Sequence, residues 1–560
     1  MRNFIPRRFE WMKDMPEPRS NTILVENIPD DMQSDYKLQH YFDGEVFGRQ
    51  VVKEVHIVKD TADLVYEIKK LRRLQLQLER ESARMVSTGP SIQSQIRACE
   101  SDVRRLQEYI DAVDSLNTSN AFVTFHSRRE ANIAVKLFGE DDMEKILATV
   151  PPDPQDIIWA DLLVDPNVQA VREYLGYGLI VLLFLGTMPI VIGIASITSL
   201  ETLRTRIHAI DTFVTDYPTL ASMWEGVAGS IGLTLVMSLL PTLLRIIFST
   251  FFVLRAQAWM QQRIQMWYFY FLLIFVLLIT AIGQGLTSTI QAVIAQPSMV
   301  FSLLGSELPR STHFYMNYFP VQWSAQGINL TRYVLLIKYL FLRMFYNETT
   351  AHWLAEPEDQ DFYGIGSRSA RMTLFLIIAL VFSLLSPMII PLAMLEFALA
   401  RIFFGYLFVF AETRKPDLGG EFYVLQLKHT QQGLIIFITV MSGCLTQRHT
   451  SWIPGTTAMA AFVPLWWFYR KFDLDFRWEA LDFKEAEEAG KQPNQLVNFR
   501  SYKQPELPEP RHHRKMPEEY AKVGGVFETA TASFREAITS VQSRLGMGVP
   551  APSSKSKSAR

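Results

Sequence analysis

The amino-acid sequence predicts an α-helical polytopic membrane protein of about eight spans, joined to an N-terminal α+β domain. Three observations carry that prediction. Long apolar segments recur between about residues 172 and 470, whereas the residues before 165 place short apolar runs among many charges. A chain of 560 residues exceeds one ordinary domain, so at least two structural regions are expected. Composition narrows the classes, because 55 basic and 57 acidic residues nearly balance and Cys99 and Cys444 are the only cysteines. A nucleic-acid footprint usually shows as basic excess. Two distant thiols support neither a disulfide framework nor a cysteine-based metal site.

Residues 1–20 are polar and proline-punctuated, so no secretory signal is read there and the N-terminus is expected in the cytosol. Residues 21–165 form the predicted α+β domain. Apolar alternation places strands at 23–28, 51–58, 121–126 and 157–164, with helices at 36–42 and 129–138. The order β-α-β-β-α-β is ferredoxin-like, and "ILVENIP" with "SNAFVTFHS" looks like the inner strands of an RNA-recognition sheet. Such a sheet works by stacking bases on aromatic rings. Here Leu24 stands at the first strand's ring position, while Thr118, Asn120, Phe122 and Phe125 occupy the key positions of the other. Each base–ring stack contributes about 1–3 kcal/mol, so the missing rings predict no nucleic-acid binding.

The domain carries an insertion over 62–116. Leu64, Leu71 and Leu78 recur every seven residues, and Ile92, Ile96, Val103, Leu106, Ile110 and Val113 keep helical spacings on the return. "STGPS" supplies a turn between them, which predicts an antiparallel helical hairpin. Its apolar stripe either seals the hairpin or docks a second copy.

In residues 172–470 a bilayer core of about 30 Å requires roughly 20 apolar residues per helix. Candidate spans lie at about 174–199, 226–252, 266–294, 317–343, 371–389, 391–411, 430–447 and 452–469. The pair around Pro387 and Pro391 reads as a tight hairpin or a single re-entrant element. Lys and Arg collect on the side shared with the N-terminal domain: Arg255, Arg263, Arg343, Arg368, Arg371, Arg414, Lys415 and Lys428, against Arg204, Arg206, Arg310 and Arg448 opposite. Both termini are therefore expected in the cytosol.

Polar groups at bilayer depth are costly and face a cavity or a partner. Glu225 begins the second span beside Gly226, Gly229 and Gly232, and Gln284 lies between two glycines in the third. Either could be functional, or merely hydrated or bonded to a neighbouring helix. The fourth span, "WSAQGINLTRYVLLIKYLFLR", holds Gly327, a candidate bend, then Asn329, Thr331, Arg332 and Lys338. Arg332 must find a carboxylate, a carbonyl cluster or water, with Glu396 a candidate partner; a structural ion pair and a permeation or gating role both fit. Pro241, Pro387 and Pro391 are further candidate bending points. Residues 471–560 form a cytosolic tail with a charged, proline-rich linker and an amphipathic helix at about 518–545, suited to membrane-surface docking or to packing on the domain. No nucleophile elbow, phosphate-cradling loop or metal-ligand pair stands out, so neither an enzyme nor a cofactor is expected.

In order and spacing, "ILVENIP", "AFVTFHSRREANIAV", "PPDPQDIIWADL", "LLPTLLRIIF" and "YGIGSRSARMTLFLIIALVFSLLSPMIIPLAMLEFALAR" resemble the OSCA-type calcium-permeable stress-gated (hyperosmolality-gated) cation channels. The resemblance runs from Asn21 to about Trp478. It implies a mechanically or osmotically gated nonselective cation channel that passes calcium, multi-pass in the plasma membrane, contacting lipids, and in some relatives a homodimer through the cytosolic domain. Alternatives are a lipid scramblase of the related fold or a nonconducting truncated scaffold. Members of the family carry three further spans before the cytosolic domain, which this chain is expected to lack, and have Asn where it has Asp161.

Overall fold

The computed structural model describes residues 4–83, 89–139, 146–164, 166–198, 215–279, 312–356, 364–413, 418–448, 452–475 and 502–507, with isolated positions beyond. An N-terminal helix, α1 (Phe4–Lys13), leads into an antiparallel four-stranded sheet. Its strands are β1 (Thr22–Glu26), β2 (Val52–Lys59), β3 (Asn117–Phe125) and β4 (Leu147–Thr149), in the order β2-β3-β1-β4. Ile23 pairs with Val123 and Val25 with Ala148. The helices α2 (Asp35–His40) and α5 (Arg128–Leu137) cover one face. There Ile23, Val25, Val123 and Phe125 pack with Leu38, Phe42 and Ala134 in a closed core. Ser127 accepts a hydrogen bond from the Arg129 N–H at the start of α5, which supplies an acceptor to one orphan donor of the first turn.

The fourth strand departs from expectation. Residues 157–164 do not form a strand; Trp159–Leu163 is a 3-10 turn, and β4 lies earlier. The alternation of Ile157, Ile158 and Leu162 has another cause. Ile157 and Leu162 cover the outer face of the sheet with Leu24, Val58 and Phe122. Meanwhile Asp156, just before Ile157, and Asp161, between Ile158 and Leu162, turn towards backbone N–H groups of residues 254–258. Apolar residues that roof a sheet show much the same short-range pattern as residues inside one.

The insertion is an antiparallel pair, α3 (Ala62–Ala83) and α4 (Gly89–Ala112). Its stripe is consumed internally: Leu71 packs with Ile92, Ile96 and Cys99, and Leu64 and Ile68 pack with Ile110.

Among the described residues, most of the remainder is a helical bundle. Its members are α6 (Pro166–Thr198), α7 (Pro218–Phe251), α8 (Gln257–Leu272), α9 (Thr312–Ile328), α10 (Tyr333–Arg343), α11 (Glu348–Ala355), α12 (Ile365–Phe382), α13 (Ile389–Tyr406), α14 (Glu421–Arg448), α15 (Ile453–Met459) and α16 (Phe462–Asp475). Among the described residues, four helical stretches are long and apolar enough to cross a membrane: Val168–Val191, Ser230–Phe251, Ile365–Phe382 and Ile389–Ala411. Of these, Ile365–Phe382 is 67% buried and Val168–Val191 22%. The former is therefore the central helix, packed between α8 and α14, and the latter a peripheral one on α7. An aromatic core of Tyr268, Phe269, Tyr315, Phe319, Phe375 and Phe382 joins α8, α9 and α12. Gly366 is what lets α12 approach α8, since a Cβ there would lie 2.1 Å from the Gln261 carbonyl oxygen. The Pro387–Pro391 region resolves into two helices, α12 and α13, joined by residues 383–388. Pro241 and Pro320 lie inside helices that continue through them. The amphipathic segment expected at 518–545 lies outside the described residues.

Candidate functional site

The fourth candidate span is interrupted. Helix α9 ends at Ile328, a 3-10 turn covers Asn329–Thr331, and Arg332 adopts a left-handed backbone (φ 47°, ψ 40°) before α10 begins. A non-glycine residue in that region costs about 1–3 kcal/mol and persists only where its surroundings hold it. Here the Arg332 N–H donates to the Asn329 carbonyl at 3.0 Å, and the Thr331 hydroxyl donates to the Ile328 carbonyl at 2.7 Å. The guanidinium donates through Nη1 to the carbonyl of Ala411. Ala411 ends a π-helical extension of α13, Leu407–Ala411. Carbonyls at a helix end lack intrahelical partners and carry partial negative charge, which is why an arginine can settle there. The break thus follows Gly327 rather than falling on it. A Cβ at Gly327 would meet nothing nearer than the Phe403 ring at 4.0 Å, so the backbone does not need glycine at that point.

Of the partners open to the arginine, a carboxylate such as Glu396, a carbonyl cluster or water, the structure shows a carbonyl, and Glu396 meets another residue. Glu396, fully buried on α13, accepts a hydrogen bond from Gln326 Nε2 of α9. Gln322, one turn earlier, donates to Thr234 Oγ1 of α7 at 2.8 Å. With Asn329, these glutamines line a cavity of ≈ 20 Å³ bounded by Arg368, Arg371, Met372, Phe375 and Phe404. That is room for about one water, set in polar walls amid an apolar bundle.

The wall is braced by a buried ion pair. Arg368 Nη2 and Nη1 lie 2.6 and 2.9 Å from the two Glu412 carboxylate oxygens, with side chains 5% and 0% exposed. The same guanidinium sits over the rings of Phe404 and Phe408, 5.1 and 5.5 Å from their centroids. One face of the charge is thus met by carboxylate and another by ring quadrupoles. Deeper in the bundle, Gln265 donates to Ser369 Oγ at 2.6 Å and to the Phe422 carbonyl at 3.0 Å, tying α8, α12 and α14 together.

Besides α1, which meets Gly419, Gly420 and Tyr423 on one side and Arg128 on the other, two joints among the described residues connect this bundle to the sheet unit. At the turn between α7 and α8, Asp161 Oδ2 accepts from the N–H groups of Leu254 (2.8 Å) and Arg255 (3.1 Å), and Asp156 Oδ2 accepts from Ala258 (2.9 Å). Arg255, itself left-handed at φ 61°, lies 2.6 Å from the buried carboxylate of Glu26 on β1. The second joint is between the hairpin and α11. Arg72 stacks over Trp353 at 4.5 Å and Arg80 over Phe345 at 5.1 Å, and the Glu79 carboxylate accepts from the Thr350 hydroxyl.

Of the residues singled out in the sequence, Gly327, Asn329 and Arg332 gather at the break, and Glu396 lies close by through Gln326. Lys338 is one to two turns further along α10. Glu225 belongs to α7, away from the break in sequence and helix, and Gln284 falls outside the described residues. Gln322, Gln326, Arg368 and Glu412 were not singled out as site residues. The i, i+4 spacing of the two glutamines on one span was the available signal; nothing local in the sequence pairs Arg368 with Glu412.

Residues 172–445 match the family model "Calcium-dependent channel, 7TM region, putative phosphate", and residues 20–161 match "Cytosolic domain of 10TM putative phosphate transporter". The chain is 22% identical over 523 residues to the Arabidopsis thaliana "Hyperosmolality-gated Ca2+ permeable channel 1.7", covering 87% of this chain and 65% of that one. It is 25% identical over 360 residues to the Saccharomyces cerevisiae "Uncharacterized protein RSN1" (63% and 37%). It is 24% identical over 405 residues to the Brassica juncea "CSC1-like protein ERD4" (68% and 55%). The chain thus spans less than two thirds of the length of each of these relatives. The small sheet unit is a cytosolic domain and the bundle a multi-pass membrane region. The chain belongs to the calcium-dependent channel family that includes the hyperosmolality-gated Ca2+ permeable channels and their CSC1-like relatives.

Proposed function

We propose that this protein forms a mechanically or osmotically gated, calcium-permeable, nonselective cation channel. One observation supports the reading above others: the span interrupted at Asn329–Arg332, which brings Gln322, Gln326 and Asn329 to a polar cavity beside Glu396 inside an apolar bundle. A broken span inside a membrane is tolerated where it is buried in protein or lines a hydrated cavity. In this reading Asn329, Arg332 and Glu396 contribute to the path or its gate, with Glu225, Gln284, Gly327 and Lys338 as further candidates along it. Lateral tension favours whichever state occupies more membrane area, so a bundle with two such states opens under stretch.

The proposal includes the finer architecture. The cytosolic domain, residues 21–165, is ferredoxin-like (RNA-recognition-like), and residues 172–470 cross the plasma membrane eight times in contact with its lipids. Residues 1–20 and the tail from 471 lie in the cytosol. The domain serves as a channel module and dimer contact rather than a nucleic-acid site. Its one remaining exposed-type ring, Phe122, is covered by Trp159 and Tyr502 of the same chain.

The test is excised-patch recording from cells lacking endogenous stretch currents. Suction should evoke a cation current with measurable calcium permeability, and Arg332→Ala should change its conductance or pressure threshold. Purified protein in vesicles that moves fluorescent lipid between leaflets, with no stretch-evoked current in patches, would replace the channel reading by a scramblase.

A further inference from the structure

The outer face of the sheet is occupied by a short piece of the chain's own C-terminal region. Tyr502 is 2% exposed and stacks on Phe122 with ring centroids 4.8 Å apart and planes 21° from parallel. Its hydroxyl donates to the Pro152 carbonyl at 2.8 Å. Two residues on, the Gln504 side-chain amide pairs with both backbone groups of Lys59 at the end of β2: Oε1 accepts from the N–H at 2.9 Å and Nε2 donates to the carbonyl at 2.8 Å. Between them Lys503 Nζ lies 3.0 Å from Glu54 Oε1. At the far end the Glu506 carbonyl accepts from Gln107 of α4, and Leu507 packs against Leu64, Ile68 and Ile110 at the root of the hairpin.

These contacts have the form of peptide recognition. An edge strand offers unpaired backbone groups, and alternate pockets supply specificity; β2 is such an edge. The ring goes to an aromatic pocket, the amide to the strand edge and the leucine to an apolar seam. Pro505 fixes its own φ at the corner of a turn closed by the Leu507 N–H donating to the Gln504 carbonyl at 3.1 Å, which lowers the ordering cost of binding. We propose that this face is a peptide-binding site. Its ligand class is a short segment bearing an aromatic residue, an amide two positions later and, across a turn, a leucine three beyond that. Residues 502–507 are the resident ligand, and the same sequence binds in the same way when supplied as a separate molecule.

A ligand tethered in cis has an effective concentration on the order of millimolar, so the wild-type site is occupied before any free peptide reaches it. The test uses the full chain in detergent micelles or nanodiscs and a fluorescent peptide of residues 500–509, read by anisotropy. The Tyr502→Ala/Gln504→Ala chain has a disabled resident segment and an intact site. It should bind the peptide saturably, at least tenfold more tightly than the wild-type chain does. Replacing glutamine by alanine in the peptide should weaken binding about tenfold, since two backbone hydrogen bonds are lost. Glu54→Lys, added to the double variant, should weaken binding about threefold, and a Lys503→Glu peptide should recover it. No saturable binding to a double variant whose circular dichroism and monodispersity match wild type would overturn the proposal. So would equal binding to both chains, or indifference to the charge swap. The readout is binding alone, so the outcome does not depend on whether the protein conducts.

Discussion

Removing one partner of the Arg368–Glu412 pair tests whether the wall of the polar cavity is built as described. The two side chains are 5% and 0% exposed and meet through two charge-assisted bonds. Glu412→Gln keeps the shape and a hydrogen-bond acceptor but leaves a guanidinium charge inside protein. Breaking a buried pair in this way costs about 3–5 kcal/mol, because the stranded charge loses its counter-ion without regaining water. The rings of Phe404 and Phe408 partly compensate, at about 1–2 kcal/mol for a desolvated cation on an aromatic face. A net loss of about 1–4 kcal/mol follows. Thermal unfolding of the purified protein in one detergent, at constant protein concentration, reads this as a lowered midpoint. The double variant Arg368→Met/Glu412→Leu removes both charges and should be closer to wild type than either single change, giving a coupling energy above about 1 kcal/mol in a double-mutant cycle. A Glu412→Gln midpoint equal to wild type, together with additive single effects, would refute the buried pairing.

Three further outcomes are expected. Gly366→Ala should destabilise the bundle by about 1–3 kcal/mol through overpacking against the Gln261 carbonyl, whereas Gly327→Ala should be tolerated; equal melting of the two variants would contradict the close approach of α8 and α12. Asp161→Ala should cost about 1–3 kcal/mol by orphaning the Leu254 and Arg255 N–H groups, and Asp161→Asn, which keeps an acceptor, should cost less, as limited proteolysis between domain and bundle can measure. Acidification should loosen the cytosolic domain. Burial holds His56 below its ordinary value of 6.5, Lys503 acts in the same direction, and Glu54 and Asp35 oppose. Its contribution to stability is therefore complete above about pH 6.5 and declines as pH falls through its lowered value. Burial acts to raise Glu54, but Lys503 and His56 outweigh it and hold the carboxyl below 4.5, which adds a second loss in the same direction at lower pH. A His56→Gln chain should lose the upper step of a stability-against-pH curve; an unchanged curve would remove His56 from the account.

The parts of this fold that were legible in the sequence are those whose residues interact at short, regular spacing. The hairpin followed from the seven-residue recurrence of Leu64, Leu71 and Leu78, because the stripe that sets the period is also the stripe that is buried. Three of the four strands followed from alternation. The fourth did not: Leu147–Thr149 is three residues long, too short for a period to register, and the roof segment after Pro151 imitated it. Polarity at Asn329 and Arg332 marked the interrupted span, but glycine drew the expected bend to 327, although the chain is turned by Asn329–Arg332 with a left-handed arginine. Which side chain an arginine meets depends on contacts far apart in sequence, so Ala411 rather than Glu396 as a partner of Arg332 was not readable. Tyr502 on Phe122 is the same kind of case, one ring on another across 380 positions.

The α7–α8 and α11 joints between sheet unit and bundle differ in strength, and that difference orders how those two joints yield. At the α7–α8 turn, charged acceptors hold backbone N–H groups, each such bond contributing about 1.5–3 kcal/mol, and Arg255 is locked to buried Glu26. At the other joint Arg72 and Arg80 rest on the rings of Trp353 and Phe345, contacts of about 0.5–2 kcal/mol each, and a single charge-assisted hydrogen bond, Thr350 to Glu79, joins them. Of these two joints, the one at α11 therefore gives before the α7–α8 turn does. Since α11 packs against α10, which continues the interrupted span beyond Arg332, the weaker joint bears on the half of that span that the left-handed residue already separates from α9. Motion there needs no helix to be broken, only a junction whose ladder is already open to rotate.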